Sequence, residues 1–205
     1  MPGELRRVMN TPSHAIANLA LLGSFPPETR GAILAGAILP DLPIFGFYIW
    51  AKWIERLPER EIWTQAYYQP GWQMVVALFH SFPIAAIGWA IASGFDWQFG
   101  QILCLSLFVH SCFDLPVHHD DAHRHFFPFS NYRFISPLSY WDPKHHGAIV
   151  AAVEVLFVLA CTIWLFPRVP SLVGRGLLVG VNVFYFWGYG KFYLKLKLKF
   201  RSPKP

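Results

Sequence analysis

Apolar residues run through this chain in blocks too long and too unbroken for the half-buried face of a soluble helix or strand. Six blocks stand out: His14 to Phe25, Gly31 to about Trp53, Gly71 to Ser93, Trp97 to Val117, Gly147 to Phe166 and Ser171 to Tyr193. The first holds only about a dozen residues before Pro26 and Pro27, short of the ~20 that a crossing needs. It reads as a short, tilted or re-entrant helix, with Thr11 as its N-cap and Pro12 at the first helical position. The second contains Pro40-Asp41-Leu42-Pro43, which should break it, and the third contains Pro83. The last four blocks are long enough to cross a bilayer. The pattern predicts an all-α, polytopic transmembrane bundle of about five to six helices. It forms a single integral membrane domain over 1–205, with a long loop at 118–146 and a basic tail at 191–205.

Composition agrees. Hydrophobic residues make up 54% and charged residues 14% of the chain, too few charges to cover a soluble domain of this size. The net charge of +5 does not gather into a nucleic-acid-binding patch, because the basic residues sit between apolar blocks. Nucleic acid is therefore excluded as a partner, membrane lipids are expected and protein partners stay open. With six crossings and the N-terminus inside, 14 of the 17 Lys and Arg residues fall on the inner side, so both termini are expected in the cytoplasm. If the first block does not cross, the ratio is 12 to 5 and the other helices keep their direction. Arg6 and Arg7 precede an apolar run interrupted by His14 and Asn18, which argues against a cleaved signal peptide.

Cys104, Cys112 and Cys161 are odd in number, lie in apolar blocks and read as buried thiols. Trp50, Trp53, Trp63, Tyr67, Tyr68 and Trp72 read as an interfacial belt. The Lys191 tail alternates lysine with apolar residues. It reads either as a strip against anionic headgroups or as a frayed end that only sets topology.

The polar exceptions carry the chemistry. An ionisable side chain in the bilayer costs ~2.5–3.5 kcal/mol on insertion scales, so it needs a partner or a wet cavity. His14, Asp41, His80, His110, Asp114 and Glu154 all lie within or at the ends of apolar blocks. His110 and Asp114 are four apart and share one helix face. Ser111 and Ser81, beside His110 and His80, are candidate hydrogen-bond partners for the imidazoles. Asp41 sits at the expected proline break, where irregular backbone can line a polar cavity. Each feature has an ordinary alternative: interhelical hydrogen bonding for a lone His, chance for HxxxD, and helix capping for Asp41. Glu154 has no partner that the sequence names.

The loop beginning His118-His119-Asp120-Asp121 carries six of the nine histidines. His and Asp suit zinc, manganese or iron, and a divalent ion, zinc first and manganese second, is the expected cofactor. His118, Asp121, His123 and His125 are further candidate ligands, and His119 and Asp120 are candidate general bases. The alternative is an interfacial loop whose rings pack among headgroups.

An early His on a short helix, a helix ending in Leu39-Pro40-Asp41, then His80-Ser81 and His110-xxx-Asp114 together resemble the predicted membrane-bound metal-dependent hydrolases of bacterial inner membranes. These are distant relatives of the zinc-dependent phospholipase C and nuclease group. The resemblance spans roughly residues 10 to 120 and implies metal-binding positions at His14, Asp41, His80, His110 and Asp114. The chain departs from the pattern in two places. Leu42-Pro43 follows Asp41 where the family often has a second acidic residue and a His. Ala77-Leu78-Phe79 precedes His80 where the family often has His-Arg-Gly and Thr. The expected activity is hydrolysis of a phosphoester or ester in a lipid or lipid-linked substrate at the cytoplasmic face. Transport or metal handling, and a non-catalytic membrane scaffold, are the other readings.

Overall fold

The computed structural model describes residues 10–194, most of which are helical, with no strand among them. Nine α-helices follow in order: α1 (Asn10–Leu22), α2 (Arg30–Ile38), α3 (Leu42–Ile49), α4 (Glu59–Thr64), α5 (Pro70–Phe79), α6 (Phe82–Gly94), α7 (Gln98–Asp114), α8 (Gly147–Leu165) and α9 (Leu172–Tyr189). Helix α2 packs on α1 and α7, α6 lies on α7, α1 lies on α8, and α8 pairs with α9. Among the described residues, two helical stretches are long and apolar enough to cross a membrane, Pro27–Ile54 and Gly147–Arg168; the bent pair α5–α6 adds a third if it is one span. Helix α7, expected as a full crossing from Trp97 to Val117, has 17 residues and ends at Asp114.

The proline motif does not break the second block. Pro40 and Pro43 lack amide donors, and a 3₁₀ turn at Leu39–Asp41 absorbs the loss with Asp41 and Leu42 still in right-handed helical conformation. The helix therefore runs on, and Asp41 projects from a tightened turn. The sharper interruption comes at His80-Ser81, where α5 and α6 meet at 47°. The apolar pattern did not mark it: Pro83, placed inside a continuous block, stands at the start of α6, where its missing N–H costs nothing. Ser81 caps α6 by accepting from the Ile84 amide at 3.1 Å.

Helix approach is set by small and polar residues. A Cβ on Gly36 would lie 2.5 Å from the Leu103 carbonyl oxygen, so glycine is what lets α2 close on α7. Beside it, Asn18 of α1 donates to the Ser106 carbonyl at 2.9 Å and to its Oγ at 2.8 Å, and Ser106 donates to the Ile33 carbonyl at 2.6 Å. Three helices are thus joined by one buried polar relay, the kind of contact that orders helices where apolar surface does not discriminate among partners.

Of the aromatic residues read as a belt, Trp63, Tyr67 and Trp72 pack against Phe47. Tyr67 is buried and Trp63 and Trp72 flank the Phe47 ring, while Trp53 is exposed. The aromatics of α4 and α5 follow the α3 turn and fold back onto it, which encloses the rings. The cysteines are free thiols as expected, but not buried: Cys112 is exposed and the other two are half-exposed. Cys112 lies two residues from both His110 and Asp114, on the opposite side of α7. Most of the lysine-rich tail, and Arg6 and Arg7, lie outside the described residues.

Candidate metal centre

The start of α1, the turn that follows α2, the end of α5 and the end of α7 meet at Asp114. Its Oδ1 lies 3.0 Å from His14 Nε2 and 3.4 Å from His118 Nε2. Its Oδ2 lies 3.0 Å from His110 Nε2 and 3.5 Å from His80 Nε2. Asp41 completes the group, with Oδ1 3.8 Å from His110 Nε2 and 3.9 Å from His80 Nε2. The five positions that the resemblance implies are therefore brought together. His14, His80, His110 and Asp114 are buried, and Asp41 is half-buried.

The back sides of the rings fix their chemistry. His80 Nδ1 meets the Val76 carbonyl at 2.8 Å and His110 Nδ1 meets the Ala37 carbonyl at 2.8 Å. A carbonyl only accepts, so the proton belongs on Nδ1 and the lone pair on Nε2. Those two Nε2 atoms, together with Asp114 Oδ2, have no hydrogen-bond partner although they are buried and only 3.0–3.5 Å apart. Buried polar atoms are seldom left so, and a ring of inward lone pairs beside a carboxylate is the form of a cation site. The outer partners of the imidazoles are thus backbone carbonyls. Ser81, expected in that role, donates its hydroxyl to the Phe127 carbonyl.

Among the described residues, three overlapping groups have ligand atoms close enough to hold a metal ion: His14 with His110 and Asp114, Asp41 with His80 and His110, and His80 with Asp114 and His123. Every pair of groups shares one residue. A cavity of about 30 Å³ opens among them, lined by Asp41, Asp114, His118, Asp121, His123 and Tyr140 among others. That is room for an ion or a water or two. Thr11, expected as an N-cap, lies inside α1 and donates its hydroxyl to Asp41 Oδ2.

The loop divides into two sets. His118 stands between Asp114 and Asp121, with its Nδ1 3.2 Å from Asp121 Oδ1. Burial disfavours its charge, but those two carboxylates outweigh burial and hold its pKa well above the ordinary value. His123 stacks on His80 at 4.0 Å between centroids; burial and the neighbouring His80 and His118 push its pKa well below the ordinary value. His125 is a splint at the helix bend. Its Nδ1 meets the His80 carbonyl at 2.9 Å and its own carbonyl accepts the Phe82 amide at 2.9 Å, so it satisfies backbone groups that the α5–α6 break releases.

His119 and Asp120, expected as general bases, lie elsewhere. His119 Nδ1 meets the Ser136 carbonyl at 2.6 Å and its ring stacks on His145 at 3.6 Å. Asp120 is exposed, and its carbonyl accepts from the Tyr68 hydroxyl at 3.4 Å. A turn after α7 points His118 and Asp121 inward and the two residues between them outward. Tyr140, which the sequence reading overlooked, donates to Asp121 Oδ2 at 3.4 Å. Glu154, left without a partner by the sequence, hydrogen-bonds Ser13 and Tyr185 between α1, α8 and α9.

No protein-family model matches this chain, and no curated protein or solved structure matches it either.

Proposed function

We propose that this chain is a multi-pass membrane protein of five to six crossings with cytoplasmic termini, and a metal-dependent hydrolase of the family it resembles. Its proposed substrate is a phosphoester or ester of a lipid or lipid-linked molecule, reached at the inner face. The observation that carries this reading is the set of buried, unpartnered atoms on His80, His110 and Asp114. The donor set of imidazole nitrogen and carboxylate oxygen suits zinc, with manganese second. His14, Asp41, His80, His110 and Asp114 would hold the ion or ions, with His123 as a further ligand.

A bound divalent ion supplies Lewis acidity toward a phosphoryl or ester oxygen and lowers the pKa of a water. The chain's own residues do the rest. Asp121 faces the 30 Å³ cavity and takes the role of general base in place of His119 and Asp120. The Tyr140 hydroxyl orients its carboxylate. His118, placed between the Asp114 and Asp121 carboxylates, returns a proton to the leaving oxygen. The loop at 118–146 excludes bulk water: Arg124 donates to the Gln73 carbonyl at 2.7 Å and Arg133 to Gln73 Oε1 at 2.9 Å, tying it down onto α5.

The test is elemental analysis of the purified protein together with hydrolysis of a panel of lipid phosphoesters and esters. Wild type is expected to carry a divalent metal and to release product. Asp121→Asn is expected to keep the metal and lose at least 100-fold in rate, the scale of general-base catalysis. Wild-type protein that binds no divalent metal would end this reading.

A further inference from the structure

A second cavity, of about 540 Å³, lies between α1, α2, the end of α8 and the start of α9. This is within the ~300–1,000 Å³ typical of ligand sites. Its walls are apolar: Ala15 and Leu19 from α1, Leu34 and Ile38 from α2, Trp164 from α8 and Leu177 from α9. Thr11 lines both this cavity and the small polar one at the metal centre, and it donates to Asp41. The two spaces therefore share one wall residue. Along α1 the lining runs from Thr11 to Leu19 and on to Gly23 just past the helix end; the helical part, Thr11 to Leu22, spans ~16 Å at 1.5 Å per residue. That is close to the ~15 Å of one leaflet's hydrocarbon, half the ~30 Å core.

We infer that this groove holds one aliphatic chain of a lipid whose polar end lies beside Thr11 at the His/Asp cluster. The inference deepens the hydrolase reading and rests on it for the placement of the polar end. The occupant is a lipid chain for three reasons. The groove lies between segments of both candidate spans, Pro27–Ile54 and Gly147–Arg168, so it is in reach of the bilayer interior. Its lining offers a flexible chain no hydrogen-bonding pattern except at its ends. Its length fits one leaflet. At the far end stand Arg30 and Arg168, and the Arg168 guanidinium is already engaged, lying 3.9 Å over the Trp164 ring. A headgroup at those arginines would turn the chain round, and the experiment separates the two orientations.

The full chain in phosphatidylcholine nanodiscs is doped with phosphatidylglycerol carrying a diazirine either near the acyl carbonyl or at the chain end, and crosslinked residues are mapped by mass spectrometry. The carbonyl-proximal probe is expected to label Ala15 and Ile38, and the terminal probe Leu34 and Trp164. Both should label these at least fivefold above the outward-facing Leu156 and Ile163. Leu34→Trp, at a half-open position that tolerates bulk, is expected to reduce groove labelling at least fivefold with bound metal unchanged; Ala15→Phe gives the same result from the opposite wall. Labelling no greater than at Leu156 and Ile163, or unaffected by both substitutions, overturns the groove. Reversed order of the two probes overturns the orientation. Metal retained without groove labelling leaves the hydrolase reading standing, and labelling without metal removes that reading alone.

Discussion

Two groups of histidines in this chain differ in almost everything but residue type. In the inner group, His80, His110 and Asp114 are buried, and the two Nε2 atoms and Asp114 Oδ2 have no hydrogen-bond partner. In the outer group, His145 Nδ1 lies 2.7 Å from Asp142 Oδ2, the Asp142 carboxylate also accepts from the Lys144 amide at 3.0 Å, and His119 stacks on His145. The outer rings keep solvent on one side and a satisfied partner on the other. The comparison teaches that a ligand is marked by its back side and its surroundings: a ring whose Nδ1 is held by a carbonyl, buried, with its Nε2 aimed at an unsatisfied carboxylate. Residue type and spacing alone do not separate the two groups.

The largest expected effect breaks the inner group at its hub. Asp114→Asn removes the charge shared by His14, His80, His110 and His118 and is expected to lower bound metal beyond the ~10–100-fold typical of outer-shell partners, read by elemental analysis. Thr11→Val comes next. It removes only the hydroxyl that steadies Asp41 and is expected to weaken metal affinity about tenfold, measured by competition with a chelator. Ser106→Ala lies two turns from the centre, in the relay joining α1, α2 and α7. It is expected to cost about 1–3 kcal/mol of stability while leaving metal content unchanged, which a thermal melt paired with elemental analysis checks.

The smallest effect belongs to the outer group. Burial would raise the Asp142 pKa, but the Lys144 amide and His145 outweigh it and hold the pKa below the ordinary value. A lowered folded-state pKa means that this stabilisation is present above the unfolded pKa of ~3.9 and is lost as pH falls below it through the folded value. Asp142→Asn is therefore expected to flatten the acid side of the stability curve slightly, by less than ~1 kcal/mol as for exposed pairs, with no change in bound metal. Unfolding curves of the two proteins between pH 2 and 6 make the comparison.

The sequence made the inner group legible because each member is costly in an apolar block, so His14, Asp41, His80, His110 and Asp114 stood out one by one. Their meeting point depends on features that carry no such mark. Gly36 closes α2 on α7, and the bend at His80 turns a ring inward. The direction of the chain after Asp114 was hidden too. A turn there sends His118 and Asp121 in and His119 and Asp120 out, and four polar residues in a row give no periodicity from which to choose. Tyr140 reaches Asp121 from nineteen positions away in a loop without regular structure. The proline motif misled for a physical reason: two missing amides can be absorbed by one 3₁₀ turn.

An anomalous-scattering map at the metal edge, from crystals of the full chain grown with zinc, tests the central claim most directly. The account predicts a peak ~2.0–2.2 Å from Nε2 of His80 or His110 and from a carboxylate oxygen of Asp114 or Asp41. A peak at His119, His145 and Asp142 with none at Asp114 would contradict it.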